Sequence, residues 1–153
     1  MAKKKINKFK NDPTSNEVVS TYGDVVRHGT EVLENLTSLE VLSVSPALDI
    51  ALGGGIREGS CVVMSGDPKT GKTTTALHFA GKCQKLGKKV VYVNTEGRLA
   101  IQNFEGIKSL NPDDIIIVES TDDRILCAED YLNIIEFYIN NDPECVIIVD
   151  SVS

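Results

Sequence analysis

Short apolar runs recur along the chain at wide intervals. They read CVVMS at 61–65, KVVYVN at 89–94, IIIVE at 115–119 and CVIIVD at 145–150. Together they are rich in Val and Ile and lack polar alternation, the pattern of strands covered on both faces. Between the runs, apolar residues return at helical spacing. Residues 72–86 place Ala76, Phe79, Ala80 and Cys83 on one face, and residues 128–140 do the same with Leu132, Ile135 and Ile139. The segment 99–110 is less regular, with Ile101, Phe104 and Ile107 three apart. Strand and helix in alternation predict an α/β fold, a mostly parallel sheet flanked by helices and joined by right-handed crossovers.

Ahead of the first run, SPALDIALGGG at 45–55 predicts a short helix with its punctuation. Ser45 caps the open N–H groups, Pro46 suits the first helical position, and Gly53 to Gly55 end the helix. Residues 1 to 17 are polar and unpatterned, and EVVSTYGDVVRHGTEVLENL after them has only weak helical periodicity. The expected organisation is an N-terminal extension over 1–44, partly disordered, and a core over 45–153.

Composition narrows the class. With 153 residues, 41% hydrophobic and 25% charged, one soluble globular domain is expected. No run reaches the length of a membrane span and the N-terminus lacks the apolar stretch of a signal peptide, so a cytoplasmic protein is expected. The net charge of −6 argues against nucleic-acid binding by the whole surface. The lysine-rich start MAKKKINKFK is read as a solvated tail, with a nucleic-acid-touching arm as the alternative. Cys61, Cys83, Cys127 and Cys145 are too widely spaced for a redox pair or a zinc framework and are read as core or near-core residues. His28 and His78 have no companion at metal-ligand spacing.

The chemistry gathers where the first run breaks. Gly66, Asp67, Pro68, Lys69, Thr70, Gly71, Lys72 and Thr73 fit G-x-x-x-x-G-K-[ST], between a predicted strand and a predicted helix. Glycines let backbone N–H groups turn inward, and the helix N-terminus adds about half a positive charge behind them. Lys72 then reaches outer phosphates, and the Thr73 hydroxyl is suited to magnesium. Two acids end strands at the edge where open parallel sheets bind ligands. Asp150 closes CVIIVD and is the candidate to hold magnesium through water. Glu96 follows KVVYVNT and is the candidate base orienting a water for in-line attack. Taken alone, Asp150 also fits a strand-terminal turn residue and Glu96 a solvated loop acid.

SPALDIALGGGIREGS, GDPKTGKTT, VYVNTEG and VIIVDS together resemble the ATPase core of RecA-like recombinases, including phage strand-exchange proteins of the UvsX kind. The resemblance covers residues 45–153. It implies a P-loop NTPase fold of RecA type, with Gly66 to Thr74 binding ATP, Lys72 and Glu96 serving catalysis, and Thr73 and Asp150 serving Mg2+. It implies a DNA-dependent ATPase of recombination and repair that forms filaments on single-stranded DNA, the extension being a possible subunit-contact segment. A RecA-type replicative helicase is the second reading, and a truncated nucleotide-binding module without turnover the third. In such folds the strand between the loop strand and the aspartate strand comes later in sequence. The chain is therefore expected to be the N-terminal piece of a longer product, incomplete at its C-terminal end.

Overall fold

A computed structural model describes residues 12–152. The lysine-rich start lies outside the described residues. The chain divides into two compact units, one through Glu40 and one from Val41 onward.

In the first unit, helix α1 spans Pro13–Tyr22. Asp12 caps it, its carboxylate accepting from the Thr14 N–H at 3.1 Å, and Pro13 takes the first helical position. A 3-10 turn, Gly23–Val25, leads toward helix α2, Gly29–Ser38. The helical elements thus begin inside the stretch whose pattern is polar or weak, because a good cap and a proline nucleate a helix that periodicity does not announce.

The second unit begins at Val41 because β1, Val41–Leu42, pairs antiparallel with β2, Ile56–Arg57. Between them lies helix α3, Pro46–Leu52, with the punctuation that the sequence predicts. Ser45 accepts from the Leu48 N–H, and Gly53 closes the helix in the left-handed region at φ 71°. Asp49 ties this helix to the strand before it, accepting from the Ser43 hydroxyl at 2.6 Å and the Val44 N–H at 2.7 Å.

The main sheet is parallel and three-stranded in the order β4-β3-β5. Its strands are β3, Val90–Asn94; β4, Ile115–Val118; and β5, Val146–Asp150. β3 is central and buried along its whole length, as its unbroken apolar run requires. Helix α4, Lys72–Lys85, supplies Leu77, Ala80 and Cys83 to a core shared with Val90 and Tyr92 of β3. Ile115 and Ile117 of β4, and Val146 and Ile148 of β5, pack against that core. Helix α5, Ile101–Glu105, is one short turn. Beyond it Ile107 and Leu110 are buried while Ile101 is exposed. Helix α6, Ala128–Asn141, precedes β5, and Asp130 reaches back to the Cys127 N–H at 2.9 Å to hold its start.

The structure corrects some of these expectations. Residues 61–65 form no strand, and Val62, Val63 and Met64 are exposed. A strand exists only by pairing, and among the described residues none pairs with this run; nor is any paired with the edge of β5 that faces away from β3. The polar backbone of the run therefore meets solvent rather than an apolar interior. On α6 the expected apolar stripe is off by one position. Leu132 and Ile139 are exposed, and Tyr131, Ile134, Ile135 and Tyr138 form the more covered face, at the i, i+3, i+4, i+7 spacing of a helix resting on one neighbour. Cys83 is buried and Cys145 half-buried as expected, whereas Cys61 and Cys127 are exposed.

At Gly81, α4 runs close to the backbone of Ser109 and Leu110. A Cβ there would lie 2.7 Å from the backbone carbon of Ser109 and 2.8 Å from the Leu110 nitrogen. Gly81→Ala gains helix propensity of about 1 kcal/mol but must push the 109–110 backbone away. We expect a net loss of about 1–3 kcal/mol, measured by urea unfolding; an unchanged or raised midpoint contradicts this packing. Asp49 gives a second prediction. The Ser43 hydroxyl, then the Val44 N–H, hold its carboxyl below the ordinary 3.8, with the Ser45 N–H and the charge of Lys82 adding to them. A depressed folded-state pKa stabilises the fold above the unfolded value, and that stabilisation is lost as pH falls through the folded value. The stability difference between the parent chain and Asp49→Asn should be constant above the ordinary value and shrink on acidification below it.

Candidate functional site

The stripe of α4 that covers the sheet determines what stands at its N-terminus. Leu77 and Ala80 face the core, and Thr73 lies one turn before Leu77 on that same stripe. On β5, Val146 and Ile148 pack against the same core, and Asp150 shares their face two residues on. Helix start and strand end therefore meet. Thr73 Oγ1 donates to Asp150 Oδ2 at 2.7 Å. The hydroxyl proton is spent on the acid, which leaves the lone pairs of Thr73 available as acceptors.

The loop before α4 is bent so as to expose donors. Lys69 has φ 65° and Gly71 φ 93°, so left-handed residues alternate along it, a geometry that turns successive N–H groups to one side. For Lys69 this conformation costs about 1–2 kcal/mol, strain of the kind held at binding loops. Among the described residues the N–H groups of Lys69, Thr70, Gly71, Lys72 and Thr73 make no backbone hydrogen bond. The first intrahelical bond comes only from Thr75 to the Gly71 carbonyl at 2.8 Å. Lys72 arches back over the loop, its ammonium donating to the carbonyls of Gly66 at 2.8 Å and Asp67 at 2.9 Å. Thr70 closes the bend with a 2.8 Å bond to the Asp67 carbonyl. Gly66 to Thr70 are all exposed, Pro68 among them, and Thr74 faces solvent in the first turn of the helix.

The second acid stands on the neighbouring strand tip. Asn94 pairs in register with Asp150, the Thr95 N–H continues the ladder to the Asp150 carbonyl at 3.1 Å, and Thr95 Oγ1 donates to the Ser151 carbonyl at 2.6 Å. Glu96 follows directly. Its carboxylate accepts from the Ser151 hydroxyl and pairs with Arg98 at 3.4 Å. Glu96 and Asp150 thus occupy adjacent strand ends linked through Ser151. Among the described residues Glu96 makes no direct bond to the loop. The predicted residues fall into two groups: the loop with Thr73 and Asp150, and Glu96 with Ser151.

Sequence reasoning passed over Tyr92. Its ring is fully buried in β3, and its hydroxyl donates to Asp150 Oδ2 at 2.6 Å. Burial, then the hydrogen bond to Asp150 and the charges of Asp150 and Glu96, push its ionisation well above the ordinary tyrosine value, so it is a neutral donor. The signal was present as a lone phenol inside an aliphatic strand, since a buried tyrosine hydroxyl needs a partner. Buried Asn94 likewise donates to Glu119 at 2.6 Å, which fixes the end of β4 against β3.

The donor set of Thr73 and Asp150 is oxygen only, suited to a hard divalent cation. Among the described residues no three His, Cys, Asp or Glu side chains gather as a metal site of their own. No helix of the described residues is long and apolar enough to cross a membrane.

Comparison with known proteins places the chain among relatives. The family model described as the RecA N-terminal domain matches residues 15–153. The protein RecA of Campylobacter jejuni subsp. doylei is 32% identical over 132 residues, which cover 86% of this chain and 36% of that protein. RecA of Desulfotalea psychrophila is 32% identical with 86% and 35% covered. RecA of Citrifermentans bemidjiense is 33% identical with 86% and 37% covered. The chain spans about a third of the length of these curated relatives.

Proposed function

The chain belongs to the RecA N-terminal domain family, and from that premise we propose that it is the nucleotide-binding part of a RecA-like recombination protein. In this reading it binds ATP with Mg2+ at Gly66–Thr74 and, as part of a filament on single-stranded DNA, hydrolyses it. The observation that carries the reading is the Thr73–Asp150 bond, which brings the loop and the strand-end acid to one point.

Each residue has a role set by its chemistry. The N–H groups of Lys69 to Thr73, without backbone partners of their own, donate to phosphate oxygens, backed by the helix N-terminus. Lys72 exchanges its carbonyl partners for the outer phosphates, a gain because charge-assisted bonds to an anion are stronger than bonds to neutral carbonyls. The Thr73 hydroxyl and the Asp150 carboxylate offer oxygen donors to Mg2+, Asp150 through water. A bound magnesium ion supplies screening of phosphate charge. Glu96 orients and deprotonates the attacking water. The unit through Glu40 is the proposed contact to a neighbouring subunit.

The third reading, nucleotide binding without turnover, has one observation in its favour: both Glu96 oxygens are engaged, one by Ser151 and the other by Arg98. A base so held must first be released. The RecA relatives favour the recombinase over the helicase reading.

Equilibrium binding of a fluorescent ATP analogue tests the proposal. Lys72→Ala should weaken binding about 10- to 100-fold, the loss of a charged hydrogen bond to phosphate; unchanged affinity would refute the loop assignment. Single-turnover phosphate release with single-stranded DNA tests the base. Glu96→Gln should bind as the parent chain does and release phosphate about 10²- to 10⁴-fold more slowly. Equal rates would remove Glu96 from catalysis, and no release from either protein would favour binding without turnover.

A further inference from the structure

Asp150 Oδ2 receives two hydroxyl donors, Thr73 from the helix and Tyr92 from the core, while Oδ1 has no partner among the described residues. The register explains how Tyr92 reaches it. Tyr92 pairs with Ile148 in the parallel ladder, and Asp150 lies two residues further along β5 on the same face, the diagonal position that a long side chain spans. The two donors differ in what anchors them. Thr73 belongs to the first turn of α4, beside a loop that is exposed from Gly66 to Thr70. Tyr92 is held by Leu77, Ala80 and the central strand, with none of its surface exposed.

From this difference we infer that Tyr92 is the positioning residue of the cation site. It locks the Asp150 carboxylate in one orientation from the rigid side of the fold, so that Oδ2 is satisfied from within and Oδ1 is presented to the site. The inference rests on the proposed nucleotide function and deepens it. Ligand-holding carboxylates are commonly set in place by partners behind them, and removing such a partner lowers metal affinity about 10- to 100-fold. Tyr92 does not touch the cation or the phosphates; it acts through Asp150. Its phenol stays protonated throughout, so the device is geometric rather than acid–base. The hydroxyl is also not required merely to fill space, because the ring alone fills the core and a phenylalanine would fit the same volume.

Tyr92→Phe therefore removes one hydrogen bond and leaves the packing. The test is a magnesium titration of ATP-analogue affinity in the parent chain, Tyr92→Phe, Asp150→Asn and the double variant, with Tyr131→Phe as a control that loses a phenol bonded to Ser120. We expect Tyr92→Phe to need about tenfold more Mg2+ for half of the affinity gain, with analogue binding in EDTA unchanged. Tyr131→Phe should match the parent, and Tyr92→Phe should add nothing further in the Asp150→Asn background. A parent-like magnesium midpoint in Tyr92→Phe overturns the inference while leaving the proposed function intact. An equal loss of affinity with and without Mg2+ also overturns it, since that is the signature of a structural role. A parent chain whose analogue affinity ignores Mg2+ overturns both.

Discussion

One hydrogen bond across 77 residues of sequence joins the two halves of the site. The hydroxyl of Thr73 donates to Asp150 and thereby fixes the start of α4 over the end of β5. Much else in the unit from Val41 onward follows from it. The loop ahead of Thr73 curls back with Lys69 and Gly71 in left-handed geometry, and among the described residues its N–H groups from Lys69 to Thr73 have no backbone acceptor. The stripe of α4 that continues from Thr73 must be apolar, because it lies on the sheet, and Leu77, Ala80 and Cys83 meet that demand. Stability and chemistry are thus served by one helix face, polar where it leaves the sheet and apolar where it covers it.

The strand tips divide the electrostatic work. Asp150 is held by the neutral donors Thr73 and Tyr92 on Oδ2, and its other oxygen has no partner among the described residues. Glu96 is engaged on both oxygens, by the residue that follows Asp150 and by exposed Arg98. Exposed ion pairs are weak, typically about 0–1 kcal/mol, so Arg98 restrains Glu96 only lightly, and the Ser151 bond is what couples it to β5. Two acids on adjacent strand ends differ in restraint because their partners differ, Asp150 being bonded to a buried phenol and Glu96 to an exposed arginine and a serine.

How much of this was legible in the sequence depends on whether a feature is local. β3, β4 and β5 are readable because a continuous apolar, β-branched run fits a strand, although only β3 is covered on both faces and β4 and β5 are half-buried. α3 is readable because its cap, proline and closing glycine are all within ten residues. The run at 61–65 is largely apolar like the true strands and still forms none, since strand formation is a property of a pair. The face of α6 is misjudged by one position because Leu132 and Ile139 obey the helical period as well as Ile134 and Tyr138 do, and only tertiary packing decides which stripe is covered. At the site, Gly66–Thr73 and Asp150 stand out by spacing and by position at a strand end. Tyr92 does not, because its partner is fixed by strand register, which no local pattern encodes.

Coupling between Thr73 and Asp150 holds the loop helix to the strand tip, and a double-mutant cycle measures it most directly. Urea unfolding of the parent chain, Thr73→Val, Asp150→Asn and the double variant gives the interaction energy free of the separate effects of each change. A hydroxyl bonded to a carboxylate in a partly buried setting predicts a favourable coupling of about 1–3 kcal/mol. Strict additivity of the two substitutions would contradict this, because the loop helix and the strand tip would then be independent in solution and would not form one site.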